Sequence, residues 1–263
     1  NGGHWYAQDG TPRHRMEGGS GEQRNTTLRD ARKLGLIPSV TGIIGILDKP
    51  ALQDWRLKEI VQATHLMGSE IPPGNVSDQM FRQIKDQAFV QVSNAAELGS
   101  RLHQAIEDYV LFQTQPMDEL RVYLEPVLEF LAEVNILPTA VEKILVNREE
   151  GYAGTVDLLY TWGKDNDRVG VLDWKTRKTK EKQKIRSYDG QDMQLAAYAV
   201  AAYGVDKLDT TMAANVVIST TEPGRMEVIR HEGLRESWEA FLGCCAVWRH
   251  TKRYDPRSSN GGV

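Results

Sequence analysis

The sequence predicts an α/β fold: a short mixed β-sheet flanked by helices, with an N-terminal helical region. Three observations predict it. Two apolar runs, at 155–160 and 169–172, lie on either side of a polar Gly/Asp/Asn turn and read as adjacent strands. Helical periodicity runs through 77–114 and again through 117–133. Two more strand candidates, Met212–Ser219 and Met226–His231, are joined by a Glu222-Pro223-Gly224 turn after a further helical stretch. A chain of 263 residues can bury a substantial core in one such domain.

In chain order, residues 1–25 are rich in Gly, Arg and polar groups. They read either as a hairpin turning at Asp9-Gly10 or as a disordered lead-in. Helix-compatible composition at 26–33 stops at Gly35. The β-branched SVTGIIGIL segment suits a strand, while Ser39 suits the cap of a short helix; the helix is favoured. Pro50 fits the first turn of a helix reaching about Met67, with Trp55 as a core anchor in preference to a DNA contact, and 71–75 is a Pro/Gly loop. Residues 77–114 predict two helices, or one broken helix, hinged near Gly99, with His103, Ile106, Glu107 and Val110 on one face. After the helix at 117–133, residues 139–148 alternate and predict the first sheet strand, which carries Glu142. A helix over 186–203 follows the two central strands. A closing helix over 236–253 brings Trp238 and Trp248 into the core, and the last residues read as a frayed tail.

The net charge of −4 mildly opposes a nucleic-acid partner, although a local basic strip can still carry phosphate contacts. No apolar run is long enough to cross a membrane and no signal peptide is visible. Adjacent Cys244 and Cys245, the only cysteines, disfavour a disulfide framework or a cysteine zinc site and suit a reducing cytoplasmic setting. The chain begins at Asn1 rather than Met, which leaves room for residues before it. No repeat, P-loop or dinucleotide fingerprint occurs.

The chemistry concentrates at 151–175. Asp157 sits among Val156, Leu158 and Leu159, and a carboxylate inside an apolar strand is costly unless something cationic compensates it. Asp173 and Lys175, two positions apart on the next strand, point to one face. Two carboxylates and an amine converging there suit a hard divalent cation held by oxygens. Positions Gln194 and Tyr198, spaced i and i+4, share a helix face with Gln191 roughly alongside.

These residues resemble the PD-(D/E)XK nuclease superfamily. The GTVD acid is Asp157 and the D-x-K element is Asp173-Trp174-Lys175. Gly99-Ser100-Arg101-Leu102-His103 upstream and Gln194-Leu195-Ala196-Ala197-Tyr198 downstream are similar to the G-[ST]-x-x-H and Q-x-x-x-Y signatures of its RecB-like branch. That branch includes phage-type exonucleases and the mitochondrial genome maintenance exonuclease. The resemblance covers roughly residues 95–200. It implies a restriction-endonuclease-like core over 136–263, with 1–135 walling the cleft as part of one compact domain. It implies one or two Mg²⁺ or Mn²⁺ ions held by His103, Asp157, Asp173 and the Trp174 backbone carbonyl. Lys175 serves as base, water-positioner or charge stabiliser, and Glu142 and Glu107 stand as possible support. Plain strand or surface positions are the other reading of those two glutamates.

The implied activity is metal-dependent DNA hydrolysis, with an exonuclease of recombination, replication or repair favoured. An endonuclease, or a non-catalytic DNA-binding module on the same fold, is the alternative. Single-stranded DNA or a duplex end is the expected partner. For a phage enzyme in host cytoplasm, a single-strand annealing or single-strand binding protein would join it. The basic stretch after the D-x-K strand reads as a DNA guide or as a solvated loop. It supplies Arg177, Lys178, Lys180, Lys182, Lys184 and Arg186 as DNA-contact candidates beside Gln191, Gln194 and Tyr198, the last two either touching the substrate strand or bracing Lys175.

Overall fold

The structure, a computed structural model, describes residues 3–68, 74–134, 136–162 and 165–257. The first segment forms β1 (Trp5–Tyr6), β2 (Arg15–Glu17), β3 (Gln23–Asn25), α1 (Leu28–Leu34), β4 (Ile37–Pro38) and α2 (Val40–Ile44). β1 pairs with β4 and β2 with β3, both antiparallel. The lead-in is therefore ordered, and the chain does turn at Asp9-Gly10, where Ala7 and Gly10 N–H groups bond to Thr11 and Ala7 carbonyls. It is held because Trp5 and Tyr6 are buried. Ser39 caps α2 through the Gly42 N–H, as the helical reading expects.

Next come α3 (Pro50–Met67), α4 (Asp78–Phe112) and α5 (Asp118–Glu133). Two expectations fail here. The 77–114 region is one unbroken 35-residue helix with no hinge at Gly99. A single glycine costs about 1 kcal/mol relative to alanine, too little to break a helix packed along its length. Trp55 is 37% exposed rather than a core anchor. Its helix packs on α4 through a small cluster of Ile60, Ala63, Ile84 and Ala88, away from the sheet. Of the loop expected at 71–75, residues 71–73 lie outside the described residues.

The sheet follows: β5 (Ile136–Asn147), β6 (Tyr152–Trp162), β7 (Asp165–Arg177), then α6 (Gln191–Tyr203), β8 (Met212–Ser219), β9 (Met226–His231) and α7 (Leu234–Lys252). The strands lie in the order β5-β6-β7-β8-β9, antiparallel except for the β7–β8 pair. A parallel pair needs a crossover, and α6 supplies it. Helix α6 starts at Gln191, not 186, because Gly190 takes φ 85° and sits against Ile44.

Each face of the sheet has its own core. On one, Val156, Val171 and Leu145 pack with Leu195 of α6, Phe241 and Trp248 of α7, Val40 of α2 and Trp5. On the other, Leu158, Leu172, Trp174 and Ile218 pack with Leu102 and Ile106 of α4 and Leu124 of α5. Trp238 and Trp248 are buried, as expected. Of the predicted frayed tail, residues 253–257 are instead docked, the Tyr254 hydroxyl donating to the Ala31 and Leu36 carbonyls and Arg257 pairing with Glu150, while 258–263 lie outside the described residues. Tyr254 joins the Trp5 and Trp248 rings, which explains the docking. Among the described residues no helix is long and apolar enough to cross a membrane.

Candidate active site

The site forms where the central strands lose their regular pairing. The β6–β7 ladder runs from the turn to Leu158↔Leu172 and stops. Beyond it the Trp174 N–H bonds to Asp157 Oδ2 at 2.7 Å, a side chain standing in for the missing backbone partner. Val156 and Leu158 fall in opposite cores although they are two residues apart. Strict alternation would put both on one face, so the strand shifts phase at Asp157. On β5, Glu142 lies between the Val141↔Leu158 and Lys143↔Val156 pairs, level with Asp157, and adopts φ 46°. Such left-handed backbone at a non-glycine is a strained feature that clusters at functional sites.

From α4, His103 Nδ1 comes within 3.9 Å of Asp157 Oδ2. One ligand atom each from His103, Glu142 and Asp157 lie within 4.8 Å of one another. His103 and Glu142 border a cleft of about 420 Å³ lined also by Gly99, Ser100, Glu107 and Thr176. Gly99 explains the helix's approach: a Cβ there would stand 2.6 Å from Thr176 Oγ1 on β7.

A cation would relieve the electrostatics of this group. Burial, then the Asp173 charge, pushes the Asp157 carboxyl well above its usual range. Burial, then Glu107 and Asp173, raises Glu142. Burial lowers His103, which favours the neutral imidazole that binds metals. Two oxygens and a nitrogen suit Mg²⁺, and more so Mn²⁺, so the residues present fit a divalent ion.

Asp173 lies on the α6 side of the sheet and is 2% exposed. Lys175 Nζ sits 2.8 and 2.6 Å from its two oxygens. Gln194 Nε2 donates to Oδ1 at 3.2 Å and Asn215 Nδ2 to Oδ2 at 2.7 Å. Gln194 is in turn 3.2 Å from the Tyr198 hydroxyl, and the Tyr198 ring lies over Gly154, where a Cβ would meet it at 2.8 Å. The glycine of the GTVD stretch and the tyrosine of the Q-x-x-x-Y stretch thus meet face to face.

The structure brings together His103, Glu142 and Asp157, and beside them Asp173 with Lys175. Glu142, expected only as support, joins His103 and Asp157 within ligand reach, and the Asp173 charge acts on the same group. Glu107 takes a hydrogen bond from Gln104 rather than orienting His103, and acts on Glu142 through its charge. Gln194 and Tyr198 are buried and brace Asp173, while Gln191 accepts from Ser187 and the Tyr188 N–H and so pins the preceding loop. All three are buried, and Gln194 and Tyr198 sit beside the Asp173–Lys175 pair, in keeping with a bracing role there rather than with contact to a DNA strand.

Lys178, Lys180, Lys182, Lys184 and Arg186 are exposed on the segment leaving β7. Arg177 stacks on Tyr188 at 3.9 Å and donates to the Arg186 carbonyl. Two residues escaped sequence reasoning: Asn215, and His231, whose Nε2 is 2.7 Å from Asn215 Oδ1. The available signal was a lone amide inside the apolar MAANVVIS strand.

Among curated proteins nothing matches the chain. The sequence pattern of the PD-(D/E)XK nuclease superfamily matches residues 74–242. That span reaches from just before α4 into α7 and contains every acid, imidazole and amine of the site. Its members use divalent metals to cut nucleic acid, in keeping with the donor set found here. With more than half of its length so matched, the chain belongs to the PD-(D/E)XK nuclease superfamily.

Proposed function

We propose that the protein is a divalent-metal-dependent deoxyribonuclease, and within that class an exonuclease of the RecB-like kind acting in DNA recombination, replication or repair. The observation that carries this is the His103–Glu142–Asp157 group lying beside the Asp173–Lys175 pair. Phosphodiester hydrolysis needs the phosphate charge neutralised and a water activated, and a divalent ion supplies both. His103, Glu142 and Asp157 would hold Mg²⁺ or Mn²⁺, and Asp173 and the Trp174 carbonyl are the further oxygen donors proposed for it. Lys175, 30% exposed and paired with Asp173, is the amine that would turn to a water or the phosphate. The strand approaches along the exposed lysines after β7. A single-strand annealing or binding protein is the partner class suited to the product strand.

The test is degradation of end-labelled DNA in Mg²⁺, Mn²⁺ or EDTA, with linear and closed-circular substrates. The wild type should digest linear DNA only, and only with metal. Asp173→Ala and Lys175→Ala should each lose at least 100-fold in rate while keeping the wild-type circular dichroism, a loss in keeping with general acid–base or electrostatic roles. Wild-type rates in Asp173→Ala would refute the assignment. Cutting of circular DNA would replace exonuclease by endonuclease.

A further inference from the structure

The acid of the D-x-K element is backed by a relay that no motif describes. Asp173 and Asn215 are lateral partners in the parallel β7–β8 pair, and His231 stands on β9, whose register aligns it with Ala213. Asn215 is fully buried. Its amide spans the gap: Nδ2 to Asp173 Oδ2 at 2.7 Å, and Oδ1 to His231 Nε2 at 2.7 Å. The direction of the relay follows from charge. Only the NH₂ end of an amide can face a carboxylate, so Oδ1 faces the ring and His231 Nε2 must carry the hydrogen. Burial lowers the His231 pKa, in keeping with a neutral Nε2–H tautomer.

We propose that Asn215, locked by His231, is a positioning residue for the Asp173 carboxylate, and that this inference rests on the metal-nuclease reading above. The physical reason is competition for Asp173. Lys175 contacts both of its oxygens and is the only cation the described residues place on it. An amine committed to that pair is unavailable to a water or a phosphate. Two neutral amides, Gln194 on Oδ1 and Asn215 on Oδ2, satisfy the buried carboxylate without adding charge. They keep it in place when the ammonium turns toward substrate. Without Asn215, Oδ2 depends on Lys175 alone, and the acid and amine close on each other.

The experiment uses the full chain with four variants: Asn215→Ala, His231→Leu, His231→Gln and the Asn215→Ala/His231→Leu double. Mn²⁺ affinity is measured by calorimetry without DNA, and kcat and KM on linear DNA are measured separately. Removing a partner that orients a metal-site ligand typically costs about 10–100-fold in affinity or activity. Asn215→Ala and His231→Leu should each show a loss in that range in kcat and weaker Mn²⁺ binding, with KM for DNA within about twofold. Because the two act as one relay, the double should be no worse than Asn215→Ala. His231→Gln keeps an N–H donor for Oδ1 and should recover most of the loss.

Folded Asn215→Ala and His231→Leu with wild-type Mn²⁺ affinity and kcat would overturn the proposal, as would His231→Gln no better than His231→Leu. If Asn215→Ala fails to fold, the two His231 variants decide alone. Wild type that binds Mn²⁺ but leaves DNA intact sinks the nuclease reading, while the calorimetry still judges the relay. Wild type that binds no Mn²⁺ overturns both.

Discussion

Asp157 carries the sharpest conflict in the molecule. Its side chain is only 13% exposed, its Oδ2 is taken by the Trp174 N–H, and its charge is opposed by burial and by Asp173. A carboxyl raised in the folded state binds its proton more tightly there than in the unfolded chain. Its contribution to stability is therefore intact below the unfolded carboxyl range and is lost as pH climbs toward the folded value. Glu142, raised by the same crowding, adds to this in the same direction. Metal-free protein should accordingly lose Tm as pH rises from about 5 to 8, the range above the unfolded carboxyl pKa. Asp157→Asn keeps an oxygen for the Trp174 N–H and removes the charge. It should raise the metal-free Tm at pH 8 by about 2–4 °C per kcal/mol regained, flatten the pH dependence, and abolish activity. Mn²⁺ should raise the Tm of wild type and much less that of the variant, since a ligand stabilises only the state it binds. Calorimetric melts across pH with and without Mn²⁺ check this, and a variant less stable than wild type at pH 8 would contradict it.

Helix α4 shows how an element delivers one side chain to a site built on strands. Gly99 lets the helix backbone settle on Thr176, and one turn later His103 reaches Asp157. Glycine is otherwise a poor choice mid-helix, so alanine there sets about 1 kcal/mol of helix propensity against a contact of 2.6 Å with a stiff β-branched side chain. The clash should win. Gly99→Ala should lower kcat about tenfold by displacing His103, a loss of the size small misplacements bring. Adding Thr176→Ala should restore activity and leave the double variant more stable than Thr176→Ala alone. Activity and melting temperature of the three variants test it, and Gly99→Ala with full activity would defeat the argument. The same helix marks what the sequence could and could not disclose. Local signals were legible: Ser39 as a cap, Pro50 at a helix start, and β8 and β9 to the residue. Gly99 read as a hinge because its reason lies 77 positions away, in Thr176. Asn215 and His231 went unseen for the same cause, since a polar residue in an apolar strand has no meaning until its lateral neighbour is known. Glu142 stayed ambiguous because its value depends on a phase shift shared by two strands, which alternation alone does not predict.

On the scale of the whole molecule, the question is how a chain of net charge −4 with an acidic centre approaches a polyanion. The sheet answers part of it by gathering the acids inward, where the β6–β7 ladder ends and β5 and β6 shift phase, while the continuation of β7 carries cations outward. That segment is anchored: Arg225 holds the Lys180 and Gln183 carbonyls, and Thr179 bonds to Ser219. Among the described residues only Lys182 of its lysines has a carboxylate within ion-pair reach, Glu181 at 3.9 Å. Surface pairs of this kind contribute little, so the four lysines are available to an external anion. Each phosphate neutralised contributes roughly 0.7–0.9 to the slope of log affinity against log salt. Replacing Lys178, Lys180, Lys182 and Lys184 together by Gln should flatten that slope by about 3 and weaken DNA binding at low salt by about 100-fold or more. Because the lysines lie outside both cores, melting temperature and Mn²⁺ affinity should stay at wild-type values. Fluorescence anisotropy of labelled DNA in Ca²⁺, across a salt series, reads the slope directly. A slope unchanged by the fourfold substitution would return the segment to a solvated loop and move the DNA path to another face of the cleft.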